Sequence, residues 1–223
     1  MNWSKYFKVL AAVTGFVLMT GCANTGKSPQ FDYTAYKESR PRSILVLPPV
    51  NNTPEVQASN SVLSHATRPL AESGYYVMPV TLVAEAFKEN GMTQPTDMHA
   101  TSVEKLRQIF GADAALYVTI SKYGTVYQVI NSVSVVSVDA KLVDLKTGKL
   151  LWTGSASASS DEGKNQQQGG LFGALITAIV NQVMATALDQ SHQIAGVATT
   201  RLMSAGMGNG MLYGPRSPSY GKD

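Results

Sequence analysis

The chain has 223 residues, 44% of them hydrophobic and 15% charged, with a net charge of +3 and one cysteine. That length suits a single domain with a core of its own, and the near balance of charge excludes a basic nucleic-acid surface. A lone cysteine excludes an internal disulfide and a cysteine-built metal cluster.

Residues 1–21 have the layout of a secretory signal: Lys5 and Lys8, an apolar core from Val9 to Met19, then the small residues Thr20-Gly21. The apolar run is shorter than the ~20 residues a membrane span needs. The segment Leu18-Met19-Thr20-Gly21-Cys22 resembles the lipobox of bacterial lipoproteins, with Met19 where leucine is usual. The resemblance implies cleavage before Cys22 and lipidation of that residue. Acyl chains would anchor it firmly, each buried CH₂ contributing about 0.8 kcal/mol. Ala23 rather than aspartate follows the cysteine, which by the sorting rule of enterobacterial lipoproteins implies the outer membrane. Losing Lys5 and Lys8 from eighteen basic residues leaves 16 against 15 acidic ones, a mature charge of +1. Residues Gly21 to Ser28 also fit the G-x-x-x-x-G-K-S phosphate-loop pattern. That chemistry needs a strand before the loop and a helix after it. No strand precedes this one and cleavage would remove Gly21, so nucleotide binding is rejected.

Residues 22–41 read as a polar tether, at most about 60 Å long from Ala23 to Pro41. Within it Phe31, Tyr33 and Tyr36 either pack back on the domain or stay solvated. A single domain is expected over 42–205. Ser43 to Leu47 reads as a buried strand stopped by Pro48-Pro49. A helix follows, capped at Asn52 or Thr53, with Val56, Leu63 and Leu70 on one face and a kink or break at Pro69. Tyr75 to Val80 reads as a second strand, Thr81 as the start of a helix, and 91–98 as a loop. Another helix runs from about Thr101 to Phe110, with Gly111 as its natural stop.

The pattern then changes to period two. Ala114 to Ile120 is a strand, Gly124 a turn, and Val126 to Asp144 a long strand. Its apolar parity flips at Val135-Val136, which predicts a β-bulge there. Asp144 to Lys149 is a hairpin turn, with Gly148 suited to positive φ and Asp144 to accepting backbone hydrogen bonds. The returning strand ends near Ser159. Leu171 to Leu188 reads as an amphipathic helix on the sheet rather than a membrane span, because Asn181 and Gln182 interrupt it. Ile194, Val197, Ala198 and Leu202 mark a last helix. Residues 206–223, rich in Gly, Pro and Ser, are expected to be disordered. The fold class is α/β: a mixed sheet with a βαβα-type N-terminal half, an antiparallel meander after it, and helices packed on the sheet.

The histidines His65, His99 and His192 stand at no metal-ligand spacing, and a metal would need carboxylates such as Asp97 or Asp113. A Ser-His-Asp triad is defined by geometry, not order, but no G-x-S-x-G elbow is present. Asp139 reads as part of a solvated strand face. No catalytic residue, cofactor or metal is expected, and the one assigned site residue is Cys22.

Two signatures carry a family resemblance: Ile44-Leu45-Val46-Leu47-Pro48-Pro49 with Asn51-Asn52-Thr53, and Val143-Asp144-Leu145-Lys146-Thr147-Gly148-Lys149-Leu150-Leu151-Trp152. With the lipobox and strand order, they resemble the lipoprotein family first described as a meningococcal genome-derived antigen, over Arg42 to about Ala205. More distantly they are similar to the periplasmic domains of CsgG and LpoB and to the N-terminal domain of TolB. The resemblance implies no catalytic residues. It implies a non-enzymatic periplasmic lipoprotein that binds other envelope proteins, as an accessory to a CsgG-like secretion or transport assembly. Self-association as a homo-oligomer is a further expectation. One alternative is an LpoB-like activator of cell-wall synthesis, against which the short tether counts. The other is an envelope hydrolase with an unrecognised site.

Overall fold

The computed structural model describes residues 31–127, 132–162, 175–176 and 187–222. Strand β1 (Ser43–Val46) is the Ile-Leu-Val run, with Ile44, Leu45 and Val46 fully buried. Burial on both faces suits its two parallel pairings. One is with β3 (Tyr76–Val77), the other with β4 (Ala114–Tyr127). The proline pair interrupts this line without ending it. The chain rejoins β4 as β2 (Val50–Asn51), so that Val46 faces Leu116 and Val50 faces Thr119. Four steps on one strand against three on the other make a bulge. It places the donorless prolines where no ladder bond is required. Leu47 N–H still donates to Leu116 O at 3.1 Å and Asn52 N–H to Ile120 O at 3.0 Å.

Strands β4, β5 (Ser132–Asp144) and β6 (Leu150–Ser159) form the antiparallel meander. The described strands make one mixed six-stranded sheet in the order β3-β1-β4-β5-β6, with β2 beside β4. The sheet does not close. On one face lie α2 (Ala58–Glu72) and α6 (Ala187–Met203), packing Val62, Leu70, Ile194 and Val197 against Leu116, Val138 and Leu142. On the other lie α3 (Val80–Glu89), α4 (Pro95–His99) and α5 (Val103–Phe110). They pack Val83, Phe87, Met98 and Leu106 against Leu45, Leu47 and Ala115. Each fully buried large apolar side chain contributes about 1.5–3 kcal/mol. Helix α5 has the ends its sequence announces. Ser102 Oγ accepts from Lys105 N–H, and Gly111 closes it at φ 65°.

Several local expectations change. Gly124 does not turn the chain but lies inside β4 at φ 121°, where a Cβ would stand 3.3 Å from Glu55 Cγ. No bulge forms at Val135-Val136, which pair in unbroken register with Ser159 and Ala158. The inward face instead accepts a buried serine. Ser134 Oγ donates to Gln190 Oε1 at 2.8 Å and its N–H to Ser160 Oγ at 3.0 Å. The extra residues sit in the neighbours, Ser121 on β4 and Leu151 on β6. Helix α2 passes through Pro69 unbroken, because a proline in the last turn forfeits a single bond. Val56 is 92% exposed in the stretch between α2 and an Asx turn in which Asn51 Oδ1 accepts from Thr53 N–H and Oγ1. Strand β3 is shorter than expected, and the loop at 91–98 contains the start of α4.

The boundaries of the domain also move outward. Within the expected tether, α1 (Thr34–Ser39) buries Tyr36, and Phe31 N–H donates to Asn209 Oδ1 at 3.2 Å. Over its described residues the expected disordered tail is packed: Met211 and Leu212 are buried, and Gly214 N–H donates to Ser73 O at 2.8 Å. Its glycines serve close approach rather than looseness. A Cβ on Gly214 would lie 2.6 Å from Gly74 O. Cys22 and most of the expected helix from Leu171 to Leu188 lie outside the described residues; Leu175 and Ile176 are helical, Ile176 is buried, and Ala187 and Leu188 are the first residues of α6.

Candidate functional site

The layer formed by α3, α4 and α5 stops partway across the sheet. Beyond it, among the described residues, the same face of β4, β5 and β6 is polar and open. Pairing sets it out in rows: Tyr117, Lys141 and Thr153, then Thr119, Asp139 and Ser155. Alternation explains this, since every second residue of β5 from Val136 to Leu142 points to the α2–α6 core. A cleft of about 670 Å³ runs between this face and the end of α4.

His99, the last residue of α4, forms the wall of the cleft. Its Nε2 lies 3.0 Å from Pro48 O, which only accepts, so Nε2 carries the proton. Its ring meets Tyr117 edge-on at 5.3 Å, and Lys141 Nζ stands 4.9 Å over the Tyr117 ring. Burial, chiefly, holds the His99 pKa below the ordinary imidazole value; the Lys141 charge adds to this and the bond to Pro48 opposes it. The Tyr117 hydroxyl is pushed up by burial. A neutral imidazole, one cation, one carboxylate and a row of hydroxyls make a surface for polar recognition. Among the described residues no hydroxyl of the cleft is hydrogen-bonded to His99 or to Asp139.

The other two histidines meet elsewhere. His65 on α2 and His192 on α6 have ring centroids 4.4 Å apart, and His65 Nε2 is 3.1 Å from His192 O. Ser61 Oγ lies 2.8 Å from His192 Nδ1. The serine is buried in the seam between the helices, and no described carboxylate is bonded to His192, so this pair lacks the orienting third group of a hydrolytic triad. Burial, and then the neighbouring His192, lower the His65 pKa.

Both lowered imidazoles favour the neutral form in the folded state. Their contribution is full above about pH 6.5 and is lost as the pH falls through their lower folded values, because the unfolded chain takes up the protons first. A His65→Gln, His99→Gln double variant is expected to flatten this limb of stability against pH. Denaturant melts between pH 7.5 and about 5 check it; an unchanged slope contradicts the assignment.

The carboxylates raised as metal ligands are engaged structurally or stand apart. Asp113 Oδ2 accepts from Arg42 N–H, Ser43 N–H and Ser43 Oγ, tying β1 to the start of β4. Asp97 lies in the first turn of α4. Asp144 organises the hairpin as expected, its Oδ1 accepting from Lys146 N–H, Thr147 N–H and Thr147 Oγ1. Among the described residues no cluster of three potential ligands is present. No described helix is long and apolar enough to cross a membrane.

A second pocket, of about 360 Å³, lies between α1 and the C-terminal segment. Nothing in the sequence pattern signals it, because its walls come from the two stretches read as tether and tail.

A family model described as "Putative lipoprotein GNA1162-like" matches residues 31–216. The lipoprotein NMB1124/NMB1162 of Neisseria meningitidis serogroup B is 48% identical over 200 residues, 90% of this chain and 92% of that protein. The crystal structure of lipoprotein GNA1162 from Neisseria meningitidis is similar at a TM-score of 0.54 and 52% identity, covering 64% of this chain and 97% of that one. The LpoB C-terminal domain from Escherichia coli is matched at a TM-score of 0.37 and 18% identity, over 53% of this chain and 83% of that one.

Proposed function

The chain belongs to the GNA1162-like lipoprotein family, and from that membership we propose that it is a non-enzymatic envelope lipoprotein that binds other envelope proteins. In this reading lipid on Cys22 holds it at the outer membrane, the domain faces the periplasm, and its partner is a CsgG-like secretion or transport lipoprotein. The observation that carries the reading is the open polar half-face of β4, β5 and β6, bounded by His99. Antiparallel sheets often leave one face to solvent, and what singles this one out among the described residues is its adjacent Lys141 and Asp139 rows, which suit a partner of complementary charge.

Asp139 and Ser155 are exposed, so substitution there leaves stability within about 0.5 kcal/mol. An Asp139→Lys, Ser155→Arg variant of the full chain is expected to melt like wild type and to lose capture of the CsgG-like lipoprotein. Capture at the wild-type level by a normally folded variant would exclude this face as the docking surface.

A further inference from the structure

We propose that the outer edge of β6 is a self-association surface, on which Thr153 to Ser157 pair antiparallel with the same residues of a second copy about a twofold axis at Ser155. This goes beyond the envelope-protein reading and does not rest on it, since it uses the backbone of the sheet edge rather than the charged side chains of the open face.

Strand β6 is one edge of the sheet and β3 is the other. A length of two residues protects β3, because a very short edge offers little to pair with. Strand β6 has ten residues and is paired on one side only. Hydrogen bonds at both ends of β5 decide which of its backbone groups point outward. Asp144 N–H donates to Lys149 O and Ser160 N–H donates to Ser134 O, so the even residues of β5 bond to β6. Their partners are Trp152, Gly154, Ala156 and Ala158. Alternation therefore turns the N–H and C=O of Thr153, Ser155, Ser157 and Ser159 outward.

The far end of this row is engaged. Ser159 N–H donates to Glu162 Oε1 at 3.0 Å, and Ser157 O accepts from Arg201 Nη1. Among the described residues no hydrogen bond reaches the outward groups of Thr153 and Ser155, and both residues are exposed. The usual guards of an edge are also missing. Residues Trp152 to Ser159 include no charge and no proline, and the bulge at Leu151 lies before them.

A second copy fits this edge in one register. With Ser155 opposite Ser155, Thr153 faces Ser157 in both halves. Each of these three pairs exchanges two backbone bonds, about six in all. A carbonyl accepts two hydrogen bonds, so the Arg201 contact leaves Ser157 O able to take another. The side chains that meet on the polar face are all small hydroxyls. Ser137 Oγ and Ser157 Oγ already lie 2.9 Å apart across β5 and β6, and the register continues that ladder through the junction. Charge permits the same approach. Lys141 and Asp139 stand one strand in from the edge. Each is thus at least three strand spacings, about 14 Å, from its like-charged mate, and a Debye length of ~8 Å screens the repulsion.

Disulfide mapping of the full chain in its own envelope tests the pairing. Oxidation with copper phenanthroline should link Ser155→Cys chains to one another, because paired Cα atoms about 5.5 Å apart are within disulfide reach. Thr153→Cys and Ser157→Cys should each stay unlinked alone and should link when both chains are made in one cell. Cys22 is the one native cysteine, and the wild-type chain run alongside reads any link through it. Light scattering of the full chain in detergent gives a second readout. Ser155→Pro removes an outward donor and leaves the bonds to β5 in place, so the dimer dissociation constant should rise at least about tenfold. The proposal is overturned if Ser155→Cys stays unlinked, if all three single variants link equally, or if Ser155→Pro associates as wild type does.

Discussion

Replacing Trp152 with alanine is expected to lower the unfolding free energy by about 3–5 kcal/mol, the range for losing a large buried aromatic. Trp152 is 1% exposed and among the largest fully buried side chains. Its indole lies over Gly154, where a Cβ would stand 2.2 Å from Cζ2, so the glycine is what lets the ring lie flat on β6. Its Nε1–H donates to Asn209 O at 2.9 Å, pinning the C-terminal segment to the sheet. Alanine therefore opens a cavity and frees that segment together. Against a typical total of about 5–15 kcal/mol, this is a large share. Trp152→Phe keeps most of the bulk and should cost less, mainly the lost hydrogen bond and some packing. Gly154→Ala should cost about 1–3 kcal/mol by overpacking. Denaturant titrations of the variants decide the matter; a Trp152→Ala loss under about 1 kcal/mol contradicts this packing.

Asp144→Ala is expected to cost about 2–4 kcal/mol, since a hydrogen bond to a charged group contributes about 1.5–3 kcal/mol net and the bonds here share one carboxylate, so they do not simply add. The carboxylate is 6% exposed. Three donors of the hairpin converge on Oδ1, while Ser39 at the end of α1 donates to Oδ2. Burial pushes its pKa up, but the bonds from Ser39, Thr147 and Lys146 outweigh this and hold it below the ordinary carboxylate range. A lowered folded pKa means a contribution present above the unfolded value of about 3.9 and lost as the pH falls through the folded one. Asp144→Asn, which has no charge to titrate, should flatten that acid limb while keeping the shape of the turn. An acid limb as steep in the variant as in wild type would show that Asp144 does not carry it.

The elements legible in the sequence are those with a local physical signature. The Ile-Leu-Val run before two prolines can only be a buried strand that loses a donor there. Ser102 and Gly111 are matched to the two ends of α5, and Asp144 with Gly148 to one turn. The family resemblance rested on such stretches and agrees with the family model, which reaches further at both ends. What was not legible depends on long-range approach. The composition of residues 206–222 reads as loose, yet Gly74 and Gly214 are glycines because two backbones touch there. Tyr36 pairs with Tyr75, 39 residues away, and no periodicity reports that contact. The parity change in β5 was real, but a hydrogen-bonded serine absorbed it and the extra residues moved to β4 and β6. Both candidate sites are made of such long-range contacts, so the residues that line them carried no motif.

The central claim is that a lipid anchor brings an open sheet face to an envelope partner. The most direct test is affinity purification of the full chain from its own crosslinked envelope, with a Cys22→Ala chain alongside and captured proteins identified by mass spectrometry. The account predicts that a CsgG-like lipoprotein co-purifies with the wild-type chain and is lost with Cys22→Ala. Recovery of cell-wall synthases instead, or equal capture by the Cys22→Ala chain, would contradict it.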